Sequence, residues 1–206
     1  MNLLKFKRPK AFTASMGQNV LSFSGYFMKK LVLDLDETLL YSTTEAISPE
    51  CVKLSAAGSD FYTMLRPGLR EFLQKVAKKF ECTIWSTGQQ AYLESVWEYI
   101  GVDGFTLWGR GFCKRIETTD GSEPYEKPLR QITEDLTQIV IVDNTPSLFA
   151  KCPLNGILTR TWRGDMNDTE LNHLWHYLNW LHAQPNMQRN HEHWRIETLC
   201  LRNCQP

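Results

Sequence analysis

Ten residues, Leu31-Val32-Leu33-Asp34-Leu35-Asp36-Glu37-Thr38-Leu39-Leu40, constrain this chain more than any other stretch. Branched aliphatics in an unbroken run predict a strand buried on both faces, as in a parallel sheet. Such a strand should not end in acids, because carboxylates there are costly unless solvated, hydrogen-bonded or neutralised by a cation. Open α/β sheets place their ligand crevice at that carboxyl end. Alternation along an ideal strand sets Asp34 and Asp36 on one side. Two carboxylates facing one crevice suit a hard cation such as Mg²⁺, which takes one or two protein carboxylates and keeps places for water and phosphate oxygens. Alone, the motif also reads as an acidic strand end with Asp36-Glu37-Thr38 capping a helix.

Three later segments repeat the pattern. Glu81 to Trp85 predicts a buried strand that runs into Ser86-Thr87-Gly88, whose hydroxyls and free amides suit a phosphoryl group or, locally, a helix cap. Glu126-Lys127-Pro128-Leu129 precedes an expected helix carrying Leu129, Ile132 and Leu136. An ammonium fixed beside the crevice would balance its carboxylates. Ile139-Val140-Ile141-Val142 is a second aliphatic strand, ending in Asp143-Asn144-Thr145-Pro146; an Asx turn before proline explains the same residues locally.

Between these lie three predicted helices, the first and third read from apolar spacings of three and four. One carries Leu69, Phe72, Leu73, Val76 and Phe80, another spans Tyr92 to Ile100, and a third bears Leu171, Leu174, Trp175, Leu178 and Leu181 after Asp168-Thr169-Glu170. Cys51 to Ser55 and Phe61 to Leu65 predict a hairpin around Gly58. Phe105 to Trp108 and Phe112 to Ile116 predict a second small β insert, and Ile157 to Thr159 an edge strand. Neither insert is long enough for a cap domain with its own core. An open crevice favours a phosphorylated side chain on a protein over a sealed metabolite.

Hydrophobic-Asp-x-Asp-x-Thr-hydrophobic at Leu31 to Leu40 resembles the first motif of the haloacid dehalogenase superfamily. Within it, the resemblance is to the branch of phosphatases acting on the RNA polymerase II carboxy-terminal domain, the small-phosphatase-like and NLI-interacting-factor-like proteins. Ser86, with Thr87 as alternate, matches the second motif, Lys127 the third, and Asp143-Asn144-Thr145-Pro146 the fourth, with Thr145 where the family often has Ser. The resemblance covers about Lys30 to Leu181. It implies a three-layer α/β/α fold around a parallel sheet, without a large cap, and a Mg²⁺-dependent phosphoprotein phosphatase. Asp34 would attack phosphorus to form an aspartyl phosphate, and Asp36 would act as general acid and then base. Ser86, Thr87 and Lys127 would grip the phosphoryl group. Asp34, Asp36 through its carbonyl, Asp143 and Asn144 would hold the cation. Import-type binding relatives have a degenerate first motif, whereas both aspartates stand here; a small-molecule phosphatase of the same superfamily is the other alternative.

The reading divides the chain into a basic tail over 1–28, a phosphatase domain over 29–183 and an extension over 184–206. Basic and acidic residues number 23 each, so charge gives no argument for nucleic acid. No apolar run approaches the ~20 residues that cross a bilayer, which predicts a soluble or at most peripheral chain. Six cysteines without scaffold-like spacing read as reduced thiols, and an intracellular location, cytoplasmic or nuclear, follows. Lys5, Arg8 and Lys10 precede any acid, which is compatible with a mobile tail or a mitochondrial transit peptide. Bacterial origin would instead imply delivery into a host cell. His191-x-His193 and Cys200-x3-Cys204 share no established zinc spacing, and a peripheral helix with Trp194 packing back is expected there.

Overall fold

The computed structural model describes residues 28–116, 124–196 and 198. The aliphatic run after Lys29 forms β1 (Lys30–Leu33), the central strand of a five-stranded parallel sheet. On one side of it lie β5 (Glu81–Trp85) and β6 (Phe105–Trp108). On the other lie β9 (Ile139–Asp143) and β10 (Gly156–Leu158). The strands with continuous aliphatics, β1 and β9, are paired with each other in the middle, where both faces are covered.

Alternation of side chains divides the core. Leu31, Leu33, Ile84, Val140 and Val142 face three helices, α1 (Leu69–Ala77), α2 (Gln90–Ile100) and α3 (Glu170–His182), each presenting one apolar stripe. Val32, Ile139 and Ile141 point to the opposite face, against Leu129 and Phe149 from 3₁₀ turns. The third layer is therefore made of short turns rather than long helices. Gly156 is required by this thin layer, since a Cβ there would stand 2.0 Å from the Phe149 ring.

Two expectations are corrected. The helix predicted from Leu129 is two 3₁₀ turns, Leu129–Gln131 and Leu136–Gln138. Asp135 Oδ1 takes the Thr137 N–H and hydroxyl, and the Thr133 hydroxyl takes the Asp135 N–H, so local polar bonds replace the helical ladder. Phe105 to Trp108 is not part of an insert either. It is the fifth strand of the main sheet, while Lys114–Arg115 (β7) pairs with Tyr125–Glu126 (β8) as a small ribbon.

The predicted hairpin is present as β3 (Val52–Ala56) and β4 (Ser59–Leu65), turning through Ala57 and Gly58 at positive φ. It gains a third strand, β2 (Leu40–Thr43), so a small antiparallel sheet overhangs the carboxyl edge of the main one. After α3, Met187 and Trp194 pack into the main core, and Trp194 Nε1 donates to the Leu158 carbonyl on the sheet edge. His191 is buried against Tyr177 and His193 is exposed, whereas Cys200, Cys204 and the basic tail before Met28 fall outside the described residues. Cys51, Cys82, Cys113 and Cys152 are free thiols.

Candidate active site

The β1–β9 ladder extends one residue past β1, because the Asp34 N–H donates to the Val142 carbonyl at 2.9 Å. The chain then leaves the sheet. The amides of Thr38, Leu39 and Leu40 converge on the Leu35 carbonyl, and Glu37 adopts a left-handed φ of 60°. A non-glycine residue there is strained, and such strain persists only where surrounding contacts enforce it. The expectation that both aspartates sit on an ideal strand is thus corrected: a tight loop, anchored by buried Leu35 and Leu39, brings Asp36 back beside Asp34.

Lys127 enters from β8, its N–H bonded to the Leu148 carbonyl at 2.7 Å. Its Nζ donates to Asp34 Oδ1 at 2.6 Å and to Asp143 Oδ2 at 2.7 Å, and all three side chains are shielded from solvent. Burial alone would lower the Lys127 pKa, but the two carboxylates outweigh it and hold it up at about 12. Burial and the nearby charge of Asp34 push Asp143 upward, against the opposing pull of Lys127 and the Thr145 N–H. Asp143 Oδ1 accepts that N–H at 2.8 Å.

Asp36 is raised chiefly by burial, and further by Asp34. Both its oxygens are held: Ser86 Oγ donates to Oδ2 at 3.0 Å, and the Tyr92 hydroxyl to Oδ1 at 2.5 Å. Ser86 Oγ accepts the Gly88 N–H at 2.8 Å. Asn144 Oδ1 accepts the Thr38 hydroxyl at 3.2 Å, tying the end of β9 to the Asp36 loop. The structure therefore brings Asp34, Asp36, Ser86, Lys127, Asp143 and Asn144 to one edge of the sheet. Thr87 stands apart from these contacts, offering its carbonyl to Arg110 Nε at 2.6 Å.

Three participants escaped sequence reasoning. Tyr92 reads in the sequence as the first residue of a predicted helix, and Ser42 as one polar residue among several ahead of the hairpin. Arg66 looked like turn punctuation before Pro67-Gly68, yet its buried guanidinium donates to the Thr38 carbonyl at 2.8 Å and grips Asp168 with two bonds. Beside Asp36, a groove of about 620 Å³ opens between the hairpin tip and α2, lined by Ser42, Phe61, Gln89, Tyr92 and Arg110.

The donor set suits Mg²⁺: it is all oxygen, with two carboxylates, an amide and one main-chain carbonyl, and carries more negative charge than Lys127 balances. Among the described residues no group of three or more His, Cys, Asp or Glu side chains forms a metal cage.

A family model described as NLI interacting factor-like phosphatase matches residues 29–188. A human protein called CTD small phosphatase-like protein is 32% identical over 152 residues, covering 71% of this chain and 53% of its own. The fruit-fly Phosphatase Herzog (Drosophila melanogaster) is 32% identical over 152 residues, 71% of this chain and 42% of its own. The chain thus spans about half or less of the length of these relatives. Among solved structures, a fission yeast RNA polymerase II CTD phosphatase Fcp1 variant bound to beryllium fluoride superposes with a TM-score of 0.59. It shares 18% identity and is matched over 76% of this chain and 63% of its own, a likeness of fold.

Proposed function

The chain belongs to the NLI interacting factor-like phosphatase family, and from that premise we propose that it is a Mg²⁺-dependent phosphoprotein phosphatase working through an aspartyl phosphate. The observation that carries this reading is the position of Lys127, buried between Asp34 and Asp143. A cation locked between two acids at a strand end serves no packing purpose that an apolar trio would not serve better.

With Oδ1 bonded to Lys127, Asp34 Oδ2 is the oxygen left to attack phosphorus, and the ammonium compensates charge gathering on the transferring group. The bond from phosphorus to the Ser, Thr or Tyr oxygen breaks as the bond to Asp34 forms. Asp36, whose burial favours the protonated form, gives its proton to the departing oxygen. As a carboxylate it then takes a proton from the water that opens the aspartyl phosphate, which regenerates Asp34 and frees inorganic phosphate. Ser86 holds Asp36 and, with Lys127, lies on the side from which the phosphoryl group is gripped. The Asp34 carboxylate, the Asp36 carbonyl, Asp143 and Asn144 would hold Mg²⁺, which when bound offsets phosphate charge.

The open groove favours a phosphorylated protein side chain as substrate. No helix among the described residues is long and apolar enough to cross a membrane. The test compares phosphate release from phosphopeptides with release from sugar and nucleotide phosphates, for the wild type and Asp34→Asn, with and without a chelator. Phosphopeptide turnover abolished by both is expected. Activity that survives either one, or a preference for metabolites, overturns the reading.

A further inference from the structure

We propose that Tyr92 is the positioning residue for Asp36 and that it links the substrate groove to the proton-transfer step; this rests on the reading of Asp36 as the acid. Its phenol stands 2.5 Å from Asp36 Oδ1 and 2.7 Å from Ser42 Oγ, and Ser42 Oγ stands 2.7 Å from the buried Thr63 hydroxyl. A phenol has one proton to give. Given to the carboxylate, it leaves Tyr92 Oη to accept from Ser42, and Ser42 to accept from Thr63. Three hydroxyls then form one directed chain that ends on Asp36. Ser86 holds the other oxygen, so the carboxyl plane is fixed at both ends.

The ring is located as firmly as the hydroxyl. A Cβ on Gly88 would stand 2.9 Å from Tyr92 Cδ1 and 3.0 Å from Ser86 Oγ, so any side chain there would press on both groups where they meet Asp36. The same ring packs on Phe61 at 5.0 Å and forms a wall of the groove. A peptide lying in the groove therefore touches the residue that aims the acid. As Asp36 loses its proton to the leaving oxygen, the developing carboxylate is stabilised by donors already in place.

Tyr92→Phe keeps the wall and deletes the bond. A misplaced acid matters most when the leaving oxygen needs a proton, so phenyl phosphate and p-nitrophenyl phosphate, nearly alike in shape but not in leaving-group acidity, separate the roles. We expect the ratio of kcat/KM for p-nitrophenyl over phenyl phosphate to rise about ten- to hundredfold in Tyr92→Phe, the worth of one hydrogen bond to a charged group. A larger rise is expected in Asp36→Asn, and a smaller one in Ser42→Ala, which serves if Tyr92→Phe does not fold. An equal loss on both substrates in Tyr92→Phe and Ser42→Ala, while Asp36→Asn shows the asymmetry, overturns the role of Tyr92. No asymmetry in Asp36→Asn overturns the acid assignment itself.

Discussion

Lys127 Nζ lies 2.6 Å from Asp34 Oδ1, with both side chains almost fully shielded from water. Removing one partner of such a group leaves the others charged and unpaired, which costs about 3–5 kcal/mol, more than the pair itself is worth. Lys127→Met is therefore expected to lower the urea midpoint of the metal-free protein sharply and to abolish turnover. Adding Asp34→Asn should recover part of the stability and none of the activity, because it relieves the repulsion between Asp34 and Asp143. Denaturation curves for the single and double variants check this, and simple addition of the two penalties would refute it.

Burial and the charge of Asp34 raise the pKa of Asp143 from its ordinary 3.8. The folded, metal-free protein accordingly binds more protons than the unfolded chain between 3.8 and the raised value. The sign follows: this group's stability is fully present below 3.8 and is lost as pH rises through the folded pKa. Mg²⁺ competes for the deprotonated form, so its affinity should climb over the same interval and its binding should release protons. Thermal unfolding with and without Mg²⁺ across that range should show two curves that diverge as pH rises; curves that stay parallel would count against Asp143 as a ligand.

The parts of the fold that were legible beforehand are those where one physical signal dominates. In β1 and β9 unbroken aliphatics admit little but a strand buried on both faces, and their terminal acids mark the crevice. Leu129, Ile132 and Leu136 have helical spacing too, but Thr133 and Asp135 bond their own backbone, a competition that apolar periodicity does not register. Phe105 to Trp108 offers four residues, too few to tell an edge strand from an insert. At the site, carboxylates were visible because acids at a strand end are anomalous. Tyr92 and Arg66 were not, since a tyrosine opening a helix and an arginine before Pro-Gly are both ordinary until their tips are seen against Asp36 and Thr38.

Arg66 supports the Asp36 loop from behind. Its Nη1 donates to the Thr38 carbonyl, and Nε and Nη2 grip Asp168 at 2.8 and 2.9 Å. Asp168 in turn accepts the Glu170 N–H at the start of α3. Arg66→Lys cannot reproduce a fork of three bonds in two directions. It should cost about 2–4 kcal/mol of stability and lower kcat, because the loop that carries Asp36 loses its brace. Urea unfolding and turnover of an aryl phosphate measure both; a variant as active and stable as the wild type would remove Arg66 from the account.

Acid sensitivity is also expected away from the site, at His191. Its ring is buried, and Nδ1 shares a 2.8 Å hydrogen bond with the hydroxyl of Tyr177, itself fully buried against α3's partners. Burial pushes the imidazole pKa down from 6.5 to about 4, against the main-chain carbonyl of Leu154, which favours the charged ring. Between those values the unfolded chain binds a proton that the folded protein refuses. The stability from keeping His191 neutral is thus complete above pH 6.5 and is lost as pH falls toward 4, an effect of about 3 kcal/mol. His191→Gln retains a hydrogen-bond partner for Tyr177 but cannot titrate. Unfolding free energies of wild type and variant, measured from neutral pH downward, should converge as pH falls, the wild type dropping more steeply. Parallel lines would show that acid sensitivity in this range arises elsewhere.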